Sequence, residues 1–186
     1  MRIVGGQYKG RALSAPKGKN TRPTSDRARE SLFNVLAHAD WAPDLENVRV
    51  IDLFAGSGAL GLEAMSRGAG FCLFVETETA ARGALRDNLQ ALELFGHTRI
   101  HRRDATALGK LPANLGETFD LAFLDPPYGK SLGTKALSQL SLGKWLSEKA
   151  LIILEVGKDE EPDTTGWEVL DTRQYGAAKI LFLKQN

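Results

Sequence analysis

From residue 48 onward the chain alternates short apolar stretches with helix-spaced segments. This alternation limits the fold more than any other feature. Strands are predicted at 48–54, 71–75, 98–101, 119–124, 150–156, 167–173 and 179–183. Helices are predicted at 59–67, 79–95 and 134–146. In the second of these, Ala80, Ala84, Leu85, Leu89 and Leu92 recur on related faces. Strands buried on both sides and separated by helices make a parallel sheet covered by those helices, an α/β architecture. The link between the last two strands is too short for a crossover helix, so that pair is expected to be an antiparallel hairpin.

The turn after the first strand carries the first chemical signal. Gly56, Gly58 and Gly61 form G-x-G-x-x-G between a strand and a helix. Glycines there let backbone approach a ligand. Glu76 follows Gly56 by 20 residues, at the end of the next strand, where a carboxylate can take both ribose hydroxyls. An adenosine-type ligand is indicated, and the motif alone does not say which. Asp52 discriminates, because a pyrophosphate beside this strand-end carboxylate would bring like charges together. S-adenosylmethionine has no phosphate and carries an ammonium and a sulfonium, which suit an acid. The other role open to Asp52 is that of an acid at a helix N-terminus. Asp104, at the end of the third strand, is placed to accept from an adenine amino group, with the Ala105 N–H donating to the ring.

The composition is that of a folded domain, with 42% apolar and 25% charged residues. A chain of 186 residues buries roughly 70% of its unfolded surface, enough for one core. The single cysteine, Cys72, lies in an apolar run and reads as a buried thiol, with no disulfide partner. His38, His97 and His101 lack metal-ligand spacing, so no metal is expected. No apolar run approaches the roughly 18 residues of a membrane span, and the N-terminus lacks a signal-peptide core. The expected compartment is the reducing cytoplasm.

The formal net charge of +1 conceals an uneven distribution. Residues 1–30 carry eight basic and two acidic side chains, a local balance of +6, against −5 for the remainder. A basic end is an electrostatic footprint for a polyanion. Within it, residues 1–13 read as a short hairpin and 14–23 as a loop. Thr24, Ser25 and Asp26 offer helix caps before Ala28, Leu32, Val35 and Leu36, which keep helical spacing. The division expected is a basic hairpin-and-helix extension at 1–40 and a catalytic domain at 41–186.

The second chemical signal is Asp125-Pro126-Pro127-Tyr128, at the end of the fourth strand. In a doubly wound sheet this strand adjoins the first, and ligands bind at that switch point. Two prolines offer no N–H, so the turn presents acceptors, the Asp125 carboxylate and the Pro126 carbonyl. An exocyclic amine of a nucleobase needs two acceptors, one per N–H. Tyr128 supplies a flat face for an extruded base.

Together these motifs resemble the amino-methylating class of S-adenosylmethionine-dependent methyltransferases. Residues 2–11 (RIVGGQYKGR), 21–34 (TRPTSDRARESLFN) and 52–64 (DLFAGSGALGLEA), with Tyr175-Gly176, narrow this. The chain resembles, over nearly its whole length, the bacterial small-subunit ribosomal RNA guanine-N2 methyltransferases, the RsmD-like enzymes. The resemblance implies a Rossmann-like seven-stranded sheet with a reversed last strand, and S-adenosylmethionine as methyl donor. It implies a guanine of 16S ribosomal RNA, guanine 966, as acceptor, in naked RNA or an assembled small subunit. Carried onto this sequence, it places Asp52, Gly56 and Gly58 at the methionine end of the cofactor, with Phe54, Ala55, Ser57 and Thr77 also among the cofactor-binding residues. Glu76 falls at the ribose, Asp104 and Ala105 at the adenine. Asp125, Pro126, Pro127 and Tyr128 hold the target base. Arg22, Arg27 and Arg29 fall at the RNA face or the mouth of the pocket, and Arg2, Lys9 and Arg11 of the basic end are expected to bind RNA with them. Glu78 departs from the aspartate usual in the family at that position. A monomer is the default at this size. The alternative within the class is methylation of an exocyclic amine on another RNA or DNA base. A NAD-dependent oxidoreductase would share the glycine motif and leave the acceptor turn without a use. A non-enzymatic RNA-binding module would leave that turn equally unexplained.

Overall fold

The seven predicted strands lie in one sheet in the computed structural model, which describes residues 1–16 and 25–186. They are β1 (Arg49–Leu53), β2 (Phe71–Val75), β3 (Thr98–His101), β4 (Phe119–Leu124), β5 (Leu146–Gly157), β6 (Trp167–Tyr175) and β7 (Ala178–Gln185). The α-helices among the described residues are α1 (Asp26–His38), α2 (Ala59–Ser66), α3 (Thr79–Ala91) and α4 (Leu132–Leu142). Strand order is β3-β2-β1-β4-β5-β7-β6. The first five strands in this order run parallel, and β7 inserts antiparallel between β5 and β6. β1 and β4 are neighbours, so their carboxyl ends open together where the strand order reverses.

Alternate residues of each central strand feed two cores. Val50, Leu121, Phe123, Leu151 and Ile153 face α1, α2 and α3. Ile51, Leu53, Ala122, Leu124 and Ile152 face α4 and the short turns before β4. The helix of the basic segment belongs to the first of these cores. Ser25 caps α1 by accepting from the Ala28 N–H, and Phe33 packs on Phe123 with ring centroids 5.7 Å apart. Just beyond α1, Trp41 packs on Phe182 of β7 at 5.0 Å.

Two helices end earlier than their periodicity predicts, for one shared reason. The helix expected to reach residue 95 stops at Ala91, and the one expected to reach 146 stops at Leu142. In each, the residue after the C-cap takes a left-handed conformation, Glu93 at φ 58° and Lys144 at φ 56°. The N–H of the following residue then returns to the last turn: Leu94 donates to Leu89 O at 2.9 Å, and Trp145 to Leu140 O at 3.1 Å. This is the Schellman closure, usually made by glycine. A non-glycine residue there costs on the order of 1–2 kcal/mol, which burial of Leu94 and Trp145 offsets. The second closure also lets β5 begin at Leu146 rather than at 150, where Leu146 pairs with Phe119.

The N-terminal segment closes on itself through the bridge between Arg2 and Ala12. It is clamped to α2 by Glu63, which is fully buried and accepts from the backbone N–H groups of Val4 (2.9 Å) and Gly5 (2.8 Å). Arg67 pairs with the same carboxylate at 2.9 Å. Ser66 donates to Gly5 O and accepts from the Tyr8 N–H. Such a fully partnered buried acid fixes one position of the chain above it.

Candidate active site

The carboxyl ends of β1, β2, β4 and β5 surround a cleft of about 680 Å³, a size typical of small-molecule sites. Of the predicted site residues, Asp52, Phe54, Ala55, Gly56, Ser57, Glu76, Thr77, Asp104, Ala105 and Asp125 through Tyr128 all line it. Gly58 is absent from the lining. The three motif glycines therefore divide by role. Gly56 has φ 58° and open space where a Cβ would stand, so it leaves room beside the cleft. Gly58 and Gly61 face inward. A Cβ on Gly58 would lie 2.5 Å from Leu85 Cδ1, and one on Gly61 would lie 2.5 Å from Phe74 and 2.7 Å from Cys72 Sγ. They let α2 approach β2 closely. Gly61→Ala is accordingly expected to cost about 1–3 kcal/mol of stability by overpacking, read as a lower urea midpoint with an unchanged slope.

The loop is held by carboxylates at its two flanks. The Asp52 Oδ2 accepts from the Gly61 N–H at 3.0 Å, so this strand residue serves the first turn of α2, where Gly58 has no capping side chain. Glu76 Oε2 accepts from the Gly56 N–H at 2.8 Å and Oε1 from the Glu78 N–H at 2.7 Å. Phe54 adopts φ 60°, a left-handed turn that aims the following N–H groups across to β2, with Ala55 N reaching Val75 O at 3.1 Å.

Burial drives the Asp52 carboxyl well above the usual carboxylate range. The Gly61 hydrogen bond opposes that shift, and repulsion from Asp125 and Glu76 adds to it. Three acids thus line one cleft, and two of them disfavour the charge of Asp52, an effect that a bound cation relieves. Asp104 behaves oppositely. Hydrogen bonds from the Thr106 hydroxyl and N–H hold it below the usual range. It caps the short turn of residues 105–107 from an exposed position.

The acceptor turn follows β4 directly. Pro126 is buried and Pro127 exposed, so the turn is anchored at one proline and open at the other. Tyr128 donates its hydroxyl to Glu155 Oε1 at 2.5 Å. Glu160 accepts from the N–H groups of Gly129 (2.8 Å) and Gly157 (3.1 Å), tying the turn to the segment after β5.

Several residues of this site carried no signal in the sequence. Glu155 lines the cleft, and Glu160 braces the turn. Arg82, nearly buried, donates to the carbonyl oxygens of Thr77 and Glu76. Asn88 joins the N-terminal segment to the glycine loop, donating to Ser14 O and Ser57 O and accepting from the Ser14 N–H. Through that link Met1, Ala15 and Pro16 complete the cleft wall. An arginine or asparagine inside an amphipathic helix looks like any solvated polar residue. Only the strand end and hairpin brought against it reveal the work it does.

The basic face divides. Arg2, Lys9, Arg11 and Arg27 are exposed. Arg22 lies outside the described residues. Arg29 requires a correction: it was expected on the RNA face and is fully buried. Its guanidinium donates to Arg2 O at 2.7 Å and pairs with Asp26. Helical spacing set it three residues before Leu32 and four before Phe33, on the inward face of α1, where it carries hairpin backbone rather than phosphate.

The family model described as Conserved hypothetical protein 95 matches residues 1–184. The Bacillus subtilis (strain 168) protein YlbH, proposed by its description to be an rRNA methyltransferase, is 36% identical over 187 residues. That match covers 100% of this chain and 99% of the relative. Ribosomal RNA small subunit methyltransferase D of Escherichia coli (strain K12) is 39% identical over 155 residues, covering 83% of this chain and 74% of the relative. The solved structure of the Escherichia coli protein yhhF, proposed by its description to be a methyltransferase, superposes with a TM-score of 0.84 at 33% identity. It covers 100% of this chain and 98% of that one.

Proposed function

The chain belongs to the conserved hypothetical protein 95 family, and on that premise we propose that it methylates the exocyclic N2 amine of a guanine in 16S ribosomal RNA, with S-adenosylmethionine as donor. Its relatives include an enzyme named as a ribosomal RNA small subunit methyltransferase. The observation that carries the reading is the meeting of the glycine loop and the acceptor turn in one acid-lined cleft. A hydride-transferring enzyme has no use for such a turn.

The residues present fit the donor. Gly56 leaves open space beside the cleft, and Asp52, raised in part by Asp125 and Glu76, favours a nearby positive charge. Asp52 and the loop from Phe54 to Ser57 would hold the methionine end, Glu76 and Thr77 the ribose, Asp104 and Ala105 the adenine, with Gly58 serving the packing beneath the loop. When bound, S-adenosylmethionine supplies an electrophilic methyl group on a cationic sulfur. The chain's own part is to prepare the acceptor. The Asp125 carboxylate and Pro126 carbonyl each accept one N–H of the amine. Held so, the nitrogen lone pair is withdrawn from the ring and points along the line of transfer. Orientation of this kind supplies much of the acceleration. Tyr128 stacks the extruded base, and Asp125 is in position to take the released proton. No covalent enzyme intermediate is needed.

Arg2, Lys9, Arg11 and Arg27 would contact RNA phosphates, which position the substrate without reading its sequence. The enzyme would act in the cytoplasm, as a monomer. The test is to incubate the protein and labelled donor with small subunits, and with naked 16S RNA, from a strain lacking the gene. Digestion and mass spectrometry then locate the methyl group. The expected product is one N2-methylguanine in 16S RNA. Label on another base, or on RNA outside the small subunit, would overturn the assignment.

A further inference from the structure

We infer that Glu155 is a specificity-determining residue that reads the N1–H of the target guanine, an inference resting on the guanine-N2 reading above. β4 and β5 pair in parallel with Leu124 opposite Leu154. The residue after each of these leucines is an acid, so Asp125, just past β4, and Glu155, on β5, stand side by side at the carboxyl edge of the sheet. Both line the cleft. Glu155 is half-buried on β5, a rigid strand, and its Oε1 already accepts from the Tyr128 hydroxyl at 2.5 Å. The carboxylate is therefore fixed against the ring on which the base stacks.

Guanine presents three N–H groups in a row on one edge, the ring N1–H and the two of the N2 amine. Adenine and cytosine carry an exocyclic amine beside a ring nitrogen that is an acceptor. A single carboxylate-plus-carbonyl pair, Asp125 and Pro126, satisfies an amine on any of the three. It does not distinguish them. A second carboxylate next to it does, because it accepts from the guanine N1–H and faces a lone pair on the other two bases. A carboxylate has about four acceptor positions, so Glu155 takes N1–H while keeping Tyr128. Reading the ring and fixing the stacking face thus belong to one side chain.

The probe is 16S RNA carrying 2-aminopurine at the modified position, which keeps the amine and replaces the N1–H with an acceptor. Wild-type protein is expected to methylate guanine about 100-fold faster than 2-aminopurine in kcat/KM, the size of a lost hydrogen bond to a charged group. Glu155→Gln offers an amide N–H to the analogue, and the ratio is expected to fall about 10-fold. The missing O6 of the analogue affects both proteins alike, so the change in ratio isolates Glu155. A residue that merely held Tyr128 would slow both substrates equally. An unchanged ratio in E155Q overturns the inference. A wild-type ratio near one does so too, even if the variant fails to fold. If the wild-type protein methylates the target amine in neither RNA, it is the underlying functional reading that fails.

Discussion

Asp125→Ala is expected to lower the single-turnover rate of methyl transfer by about 10²–10³-fold, the range seen when one preorganised polar partner of a reacting group is removed. The reason is local. Asp125 follows the last residue of β4 and opens a turn whose two prolines carry no N–H, so the turn offers the amine acceptors only. Pro126, buried beneath it, keeps its carbonyl in place, and residual activity should come from that acceptor and from proximity. Fold stability should change little or rise. Asp125 is one of the carboxylates that raises the Asp52 carboxyl, and its removal lightens that repulsion. Single-turnover assays with saturating donor, paired with thermal unfolding, check both halves. A variant with the wild-type rate would show that the amine is held elsewhere.

Glu76→Ala is expected to weaken S-adenosylhomocysteine binding by about 100-fold in calorimetry, because the substitution acts twice. It removes the acceptor proposed for the ribose hydroxyls. It also strips partners from the N–H groups of Gly56 and Glu78, loosening the loop that the ligand must meet. Each hydrogen bond to a charged group is worth about 1.5–3 kcal/mol, and part of that is regained from water in an open cleft. Glu76→Gln keeps one acceptor and introduces a donor that faces an N–H, so an intermediate loss of about 10-fold is expected. Unaltered affinity in the alanine variant would remove Glu76 from the site.

Much of this was legible in the residues because its cause is local. Runs such as Leu121–Leu124 are apolar at every position since both faces of a parallel strand are covered. The G-x-G-x-x-G spacing and the paired prolines announce themselves because a residue with no Cβ, or with no N–H, carries its meaning in its own identity. What escaped detection depended on partners far along the chain. Glu93 and Lys144 end their helices in left-handed turns because Leu94 and Trp145 have cores to enter. Glu63 reads as a helix-surface acid until residues 4 and 5 descend on it. Arg29 reads as part of a cationic arm until the hairpin supplies Arg2 O.

The sequence by itself determined the sheet, the two motifs at strand ends and the total of basic charge near the N-terminus. Tertiary structure alone decided how those charges divide, with four exposed arginines and lysines of the predicted face available to a polyanion and Arg29 turned inward. It also decided that two acids on adjacent strands, 30 positions apart in the chain, stand at one cleft edge. The physical reason is common to both. Periodicity says that a side chain points inward or along an edge, but the energy of a buried or clustered charge depends on which group, from which distant element, comes to meet it.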